Sequence, residues 1–408
     1  MFRIGIDVRG TEAGFKAHFG RGTGRYGEEL LKSLTAVAPK YPDISLVPLG
    51  AEALAPTGIL EQTFSRMPVG RQTLTTQFVL PRSISRTDCN LLHFLSHGDA
   101  PARSPIPYIV TVLDLIPLRF SDLYRADKPN WRFKLARGLE NRAITQATGI
   151  LAISECTKRD LVELLHVPAE KVIVTPLAVS KQFVGRPLDD ELPEYKKQKR
   201  AEFGLDTDRP LLLYVGGIDP RKNVSFLLEV FAKVQHQLLG PKPLLVLGGA
   251  HEKDDQFPIL QAKIKELGIA DSVKWLGFVP EQKLVALYHS ASLFLFPSLY
   301  EGFGFPVLEA MACGVPVLAG DNSSIPEVAG SAAHLLPDNN IPAWVGAIKT
   351  VLEHPLYQLD LSLRGVRQAK AFSWEQTARK TFEAYKAFLK ENPYVQTNKP
   401  SEHSHLGA

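Results

Sequence analysis

Three short stretches set charged residues beside glycine or proline, as chemistry on a polyanionic or polyhydroxylated ligand requires. The first is Ser298-Leu-Tyr-Glu301-Gly302-Phe303-Gly304-Phe-Pro306-Val307-Leu308-Glu309-Ala-Met-Ala-Cys-Gly314-Val-Pro316, directly after the apolar run Ser292–Pro297. Glu301 falls in the loop after that run, and Pro306 in the first turn of a helix, where proline is tolerated. Glu309 follows within an otherwise apolar helix. A carboxylate there needs partners. Hydroxyls of a sugar or ribose are good donors to it, and a buried ion pair or the dipole of the helix N-terminus would serve as well. The second stretch, Ile218-Asp-Pro-Arg221-Lys222-Asn223, puts two adjacent cations at a helix start, against the usual preference for acidic residues. They suit either a bound diphosphate or a solvated surface pair. The third, Gly20-Arg-Gly22-Thr-Gly24-Arg25-Tyr26, also leads into a helix. Glycines there let backbone N–H groups approach an anion at the helix N-terminus, although a flexible loop has the same composition.

These stretches need strands to carry them. In the second half, apolar runs ending in Gly or Pro predict strands at Pro210–Gly217, Pro243–Gly249, Ser272–Gly277, Ser292–Pro297, Pro316–Ala319 and Ala333–Leu336. Helical period predicts helices at Val224–Leu239, Pro258–Leu267, Glu281–Ser290, Pro306–Cys313 and Ile341–His354. The first half repeats the plan, with strands at Phe2–Val8, Ile44–Leu49, Asn90–Phe94, Tyr108–Leu113, Gly149–Ile153 and Val172–Thr175. Its helices are expected at Gly24–Ala38, Lys128–Gln146 and Thr157–His166. Strands apolar on both faces that alternate with helices call for parallel sheets covered on each side. The expected class is α/β: two doubly wound, Rossmann-like domains facing each other across a cleft. The domains are read as 1–184 and 205–374, joined by a charged, proline-containing connection at 185–204. A final helix is read at about 375–392, and the polar tail 393–408 as disordered.

Composition excludes several classes. With 408 residues, 45% apolar and 22% charged, the chain has the balance of a soluble two-domain protein. The net charge of +4 is too small to argue for nucleic acid. Cys89, Cys156 and Cys313 are too few and scattered for a disulfide framework or a zinc site, which points to a reducing, cytoplasmic compartment. The segment from Gly302 to Gly320 approaches membrane-spanning length but carries Glu309 and two prolines, and the N-terminus lacks the apolar stretch of a secretion signal.

The segment from Glu301 to Pro316 resembles the paired-glutamate motif of retaining nucleotide-sugar glycosyltransferases of the GT-B fold. The particular resemblance is to the family 4, group 1 type, which includes bacterial mannosyl- and glucosyltransferases of surface polysaccharide synthesis. Gly22-Thr-Gly-Arg-Tyr26, Asp114-Leu-Ile-Pro117, Ile153-Ser-Glu155, the stretch Val215–Asn223, Gly277-Phe-Val279 and Ser324-Ile-Pro-Glu327-Val resemble it too, in the family's order, so nearly the whole chain is covered. The paired-glutamate segment is the specific part of the match. The resemblance implies that Gly22 and Gly24 bring N–H groups to the donor diphosphate, and that Lys222 and Arg221 neutralise it. It implies that Phe278 and Val279 line the base, Glu309 holds the ribose and Glu301 the donor sugar. Gly302, Phe303, Gly304, Val307 and Leu308 would complete the donor contacts. The nucleotide-sugar is then a substrate, with no cofactor and no metal. The acceptor would be a glycan or a polyprenyl-linked glycan, reached by peripheral contact with the inner face of the membrane.

Two positions depart from the family pattern. Leu113 stands where a sugar-contacting histidine is common, which leaves Asp114 either positioning the sugar or acceptor or filling a buried structural role. Gly217 stands where many members have arginine, and Arg221 is the candidate substitute. Among weaker candidates, Asp206-Thr-Asp208 precedes its strand and reads as a turn. His93 and His97 read as loop residues within reach of the acceptor. The basic residues from Arg119 to Arg137, interleaved with Phe120, Tyr124, Trp131 and Phe133, fit either a solvated helix face or contact with anionic lipid. The rival from another class is a catalytically silent binding subunit of the same fold. An epimerase or phosphorylase on this plan finds no matching motif.

Overall fold

The computed structural model describes residues 1–12, 22–55, 71–120, 131–183, 192–205 and 208–391. It divides into two units, one built from Met1–Leu177 with the segment from Trp374 onward, the other from Ala178–Ser373. In the first, six parallel strands stand in the order β2-β1-β3-β4-β5-β6. They are β1 Phe2–Asp7, β2 Ile44–Leu49, β3 Leu91–Phe94, β4 Tyr108–Val112, β5 Gly149–Ala152 and β6 Val172–Val174. The longer helices of this part are α1 Gly22–Val37, α2 Trp131–Gln146 and α3 Glu155–Leu165. Strands β3, β4 and β5 are buried at every position, because helices cover both faces of the sheet's centre and leave no polar side.

The second unit has a six-stranded parallel sheet ordered β12-β11-β10-β7-β8-β9. Its strands are β7 Leu211–Val215, β8 Leu244–Gly248, β9 Val273–Gly277, β10 Leu293–Phe296, β11 Val317–Gly320 and β12 His334–Leu336. Its helices are α4 Leu192–Ala201, α5 Val224–Gln237, α6 Gln256–Glu266, α7 Glu281–Ser290, α8 Phe305–Ala312, α9 Ile341–Glu353 and α10 Pro355–Ala369. Each of the twelve expected strands is present, with its ends within two residues of those expected.

Two of the helices named above depart from the sequence reading. The charged segment expected within a connection forms α4 and packs on α7, with Tyr195 hydrogen-bonded to His289 and Arg200 donating to the Ser290 carbonyl. Its buried face is polar, so it has no apolar period to read. Helix α10 lies where no helix was expected: Pro355 occupies its first turn, a position proline favours, and starts a helix instead of ending the previous one. The tail 393–408, Asp206, and residues 185–191 of the expected connection lie outside the described residues.

The final helix α11, Trp374–Glu391, belongs to the first unit and packs on α1. Phe382 stacks on Tyr41 at 4.3 Å, and Phe388 lies against Gly149, where no larger residue would fit. Beneath it runs a buried polar chain. Tyr385 meets His93 Nδ1 at 2.7 Å, His93 Nε2 meets Thr111 at 2.9 Å, and Thr111 meets Tyr26 at 2.8 Å. His93 is therefore a strand residue inside the core, not a loop residue facing an acceptor, and burial pushes its pKa down to about 3. The unfolded chain takes up this proton at about pH 6.5, so the stability due to the neutral ring is present above that pH and lost as pH falls toward 3. Between pH 7 and 4.5 the loss should be about 3 kcal/mol at 1.4 kcal/mol per pKa unit. Hydrogen exchange of the β3 and β4 amides at the two pH values checks this: His93→Gln should be less protected at pH 7 and show a smaller drop.

Candidate active site

The order of the second sheet fixes where its loops meet. From β7 the chain runs outward through β8 and β9, then returns to place β10 on the other side of β7. The loops after β7 and β10 therefore leave from adjacent carboxyl ends at a point where strand order reverses, the place where open α/β sheets bind ligands. Arg221 and Lys222 lie in the first loop, on a single 3₁₀ turn, Pro220–Lys222, that precedes α5. Glu301 lies in the second.

The two loops are joined by charge. Lys222 Nζ is 2.6 Å from Glu301 Oε1, Arg221 Nη1 is 3.4 Å from the same oxygen, and Ser298 donates to it at 2.6 Å. Arg221 also pairs with Asp219 and donates to the Tyr300 carbonyl, and Leu299 N–H donates to the Arg221 carbonyl at 2.8 Å. The Lys222 ammonium stands over the Phe296 ring at 5.5 Å. Burial pushes the Glu301 carboxyl up, but Lys222, Arg221 and Ser298 together outweigh burial and hold it below its usual range. The cations and the carboxylate that the sequence suggested for separate parts of a ligand are thus each other's partners.

Gly304 caps α8 with φ of +103°, a left-handed conformation, and a β-carbon on it would fall 2.7 Å from Ile325 Cδ1. Ile325 thus fills the space a side chain at 304 would need, and the left-handed cap is restricted to glycine. One turn in, Glu309 is 2% exposed and accepts a hydrogen bond from the Tyr288 hydroxyl of α7 at 2.9 Å. Phe303 is buried against Phe305 and Phe372. Val307 and Leu308, expected among the donor contacts, are core residues: both side chains are fully buried, and both N–H groups donate to the Gly304 carbonyl. Gly302 sits between Glu301 and Phe303 and is itself buried. At the end of β9, Phe278 is 67% exposed and Val279 half-buried.

The remaining candidates lie in the first unit. Gly22 and Gly24 are both in the first turn of α1, where N–H groups lack intrahelical partners. The helix thus begins two residues earlier than expected. Asp114 is half-buried, and its Oδ1 accepts from the Ile116 N–H at 3.1 Å, a local turn contact. Arg119 pairs with Asp160 and Glu163, and Arg137 with Glu140, so neither belongs to an open basic face. Trp131 and Leu135, one turn apart on α2, are exposed, whereas 121–130 lies outside the described residues.

Three contributors escaped the sequence reading: Tyr288, Ser298 as a partner of Glu301, and Asp219 as a partner of Arg221. Tyr288 had one signal, a hydroxyl on the buried face of a helix. Among the described residues no three His, Cys, Asp or Glu side chains converge as a metal site. Tyr288→Phe removes a charge-assisted donor from a buried carboxylate and should cost about 1.5–3 kcal/mol in chemical denaturation. For Glu301 the depressed pKa means stability present above the ordinary carboxylate range and lost as pH falls through the folded value. Denaturation midpoints measured between pH 7 and 3 should therefore fall less steeply for Glu301→Gln than for the unaltered chain.

Comparison with known proteins agrees with this architecture. Residues 195–370 match the model of glycosyl transferases group 1, and residues 37–183 that of glycosyltransferase family 4. The O-antigen chain mannosyltransferase B of Escherichia coli is 33% identical over 247 residues, 60% of this chain and 62% of that protein. The chain thus spans less than two thirds of that curated relative. Among solved structures, sucrose-phosphate synthase from Thermosynechococcus elongatus superposes with a TM-score of 0.69 at 19% identity, covering 96% of this chain and 100% of that one. HepE of Anabaena, solved in complex with UDP and glucose, gives 0.67 at 17% identity over 95% and 100%. With its two sheets, its paired glutamates and matches to both halves, the chain belongs to the GT-B-fold glycosyltransferases, with a family 4 part followed by a group 1 part.

Proposed function

We propose that the protein is a retaining glycosyltransferase that moves a hexose, mannose from GDP-mannose, onto a glycan or lipid-linked glycan in surface polysaccharide synthesis. The observation that carries this reading is the Lys222–Glu301–Arg221 cluster at the switch point of the second sheet, beside the glycine-capped start of α8. The similarity to an O-antigen mannosyltransferase favours the sugar and the pathway class.

Cleaving a sugar–phosphate bond leaves an oxocarbenium-like sugar and a diphosphate with added negative charge. In this reading Lys222 and Arg221 face that charge, and the first-turn amides of α8 add to the field. Hydroxyls of the donor sugar take Glu301 as the diphosphate takes Lys222, and Glu309, held by Tyr288, accepts from the ribose. A carboxyl with a pKa held below its normal range is a weak base. The donor phosphate is the better acceptor for the incoming hydroxyl's proton, which fits attack from the same face. Two side-chain cations supply the positive charge, and the reaction proceeds without a metal. Trp131 and Leu135, exposed together on α2, suit a peripheral contact with the membrane that carries a lipid-linked acceptor.

Transfer from GDP-mannose to lipid-linked acceptor should persist in EDTA. Lys222→Ala should lower kcat by about 10²–10³-fold, the scale of losing one preorganised charge at a leaving group, while the circular dichroism stays unchanged. Wild-type rates in folded Lys222→Ala and Glu309→Ala would overturn these roles. A native protein that neither transfers nor hydrolyses any nucleotide-sugar would instead be the silent binding subunit.

A further inference from the structure

The ends of β7, β8 and β9 form a shelf built almost wholly of glycine: Gly216, Gly217, Gly248, Gly249 and Gly277. Backbone hydrogen bonds continue across it past the strands, from Gly216 N–H to the Gly248 carbonyl at 3.0 Å and from Gly249 N–H to the Gly277 carbonyl at 2.8 Å. Side chains from neighbouring positions stand where β-carbons would: the Tyr214 hydroxyl beside Gly216, Leu287 beside Gly248 and the His251 ring beside Gly249. Val279 borders it, with Cγ2 3.7 Å from where a β-carbon on Gly248 would stand. Phe278, largely exposed, stands next to it in the chain.

Two carboxylates reach this rim: Asp219, which lies beside Gly217 and pairs with Arg221, and Glu252. A β-carbon on Gly277, whose φ is +67°, would lie 2.6 Å from Glu252 Oε1, so the carboxylate occupies the space over that glycine. Glu252 is exposed and makes no hydrogen bond or ion pair with any described residue. Its backbone is held by its neighbour. His251 is 1% exposed, its Nε2 donates to the Gly216 carbonyl at 3.0 Å, and its ring packs edge-on against Trp275 at 4.9 Å. The carboxylate is thus displayed from an anchored residue, and little loop ordering is left for a ligand to supply.

We propose that Glu252 reads the base of the donor nucleotide and selects guanine. This rests on the nucleotide-sugar reading of the site and deepens it. Guanine presents two adjacent donors, N1–H and the 2-amino group, which a carboxylate accepts in parallel. Uracil offers one N–H between two carbonyl oxygens, which a carboxylate repels. Adenine offers an acceptor nitrogen in place of N1–H. A site built to accept from a donor pair rejects ligands that lack it, because its charged group would then be desolvated unpaired.

Titration calorimetry of the full chain with GDP, IDP, ADP and UDP tests this, with Glu252→Gln beside the wild type. IDP lacks only the 2-amino group. The wild type should bind GDP about 10-fold or more tighter than IDP, and ADP and UDP more weakly still. Glu252→Gln should lose roughly 10–100-fold for GDP, the worth of charge-assisted hydrogen bonds, and bring GDP and IDP together. Its affinity for ADP and UDP should stay within about twofold. GDP binding unchanged in Glu252→Gln, or a wild type that prefers UDP or ADP, overturns the guanine readout and leaves the nucleotide-sugar reading standing. A wild type that binds none of the four overturns both.

Discussion

The carboxyl-end rim of the second sheet depends on the contact between Lys222 and Glu301. These residues are 79 positions apart and meet only because β10 pairs beside β7. Either partner alone would be a poor fit for its surroundings. Glu301 without Lys222 would be a buried carboxylate leaning on Arg221, and the two cations without Glu301 would be adjacent like charges with Asp219 between them and neutrality. Breaking such a buried pair is far more costly than never having built it, so the loops are committed to one arrangement. The backbone follows the charges: Ser324 donates to the Glu301 carbonyl at 2.9 Å, and Glu301 N–H donates to Ser323 at 3.0 Å. The cluster thereby extends to the loop after β11. A ligand that brings an anion for Lys222 and hydroxyls for Glu301 replaces one set of partners by another and leaves the framework in place, which is the condition for electrostatic preorganisation.

Much of this was legible in the residues, for identifiable reasons. Central strands of a parallel sheet are apolar on both faces, so runs such as Leu293–Phe296 announce themselves, and the loops that follow must then hold the chemistry. That reasoning located Arg221, Lys222, Glu301 and Glu309. It did not say who pairs with whom. Pairing depends on strand order, which an apolar run does not encode, so Lys222 and Glu301 were assigned to different parts of a ligand. The same holds for Tyr288, whose hydroxyl serves a carboxylate on another helix. Helix α4 was illegible for a different reason: its inward face is Tyr195 and Arg200, and the buried guanidinium is satisfied by the carbonyls of Ser290 and Arg209. Val307 and Leu308 belong both to the segment that carries the resemblance and, by their side chains, to the core. A hydrophobic period would have assigned both to the core.

The two sheets treat their polar interiors differently. The second concentrates charge at its rim and keeps polar residues such as Lys274 and His334 to its edge strands, whereas the first carries a histidine in the middle of β3, satisfied on both ring nitrogens. Such a fully connected polar chain fixes a unique packing of α11 and α1 on the sheet where an apolar interface would tolerate sliding.

That chain also sets an order of assembly. Tyr385 follows its partner His93 by 292 residues, and the whole second unit is synthesised between them. A chain emerging from the ribosome can complete the second sheet from one uninterrupted stretch, but it cannot close the first until α11 has appeared. The unit begun first is therefore finished last. During that interval the polar side chains of β3 and β4 and the ring of Tyr41 face solvent or a chaperone instead of α11. Domains usually fold in the order they are made; here the return of one helix reverses that order.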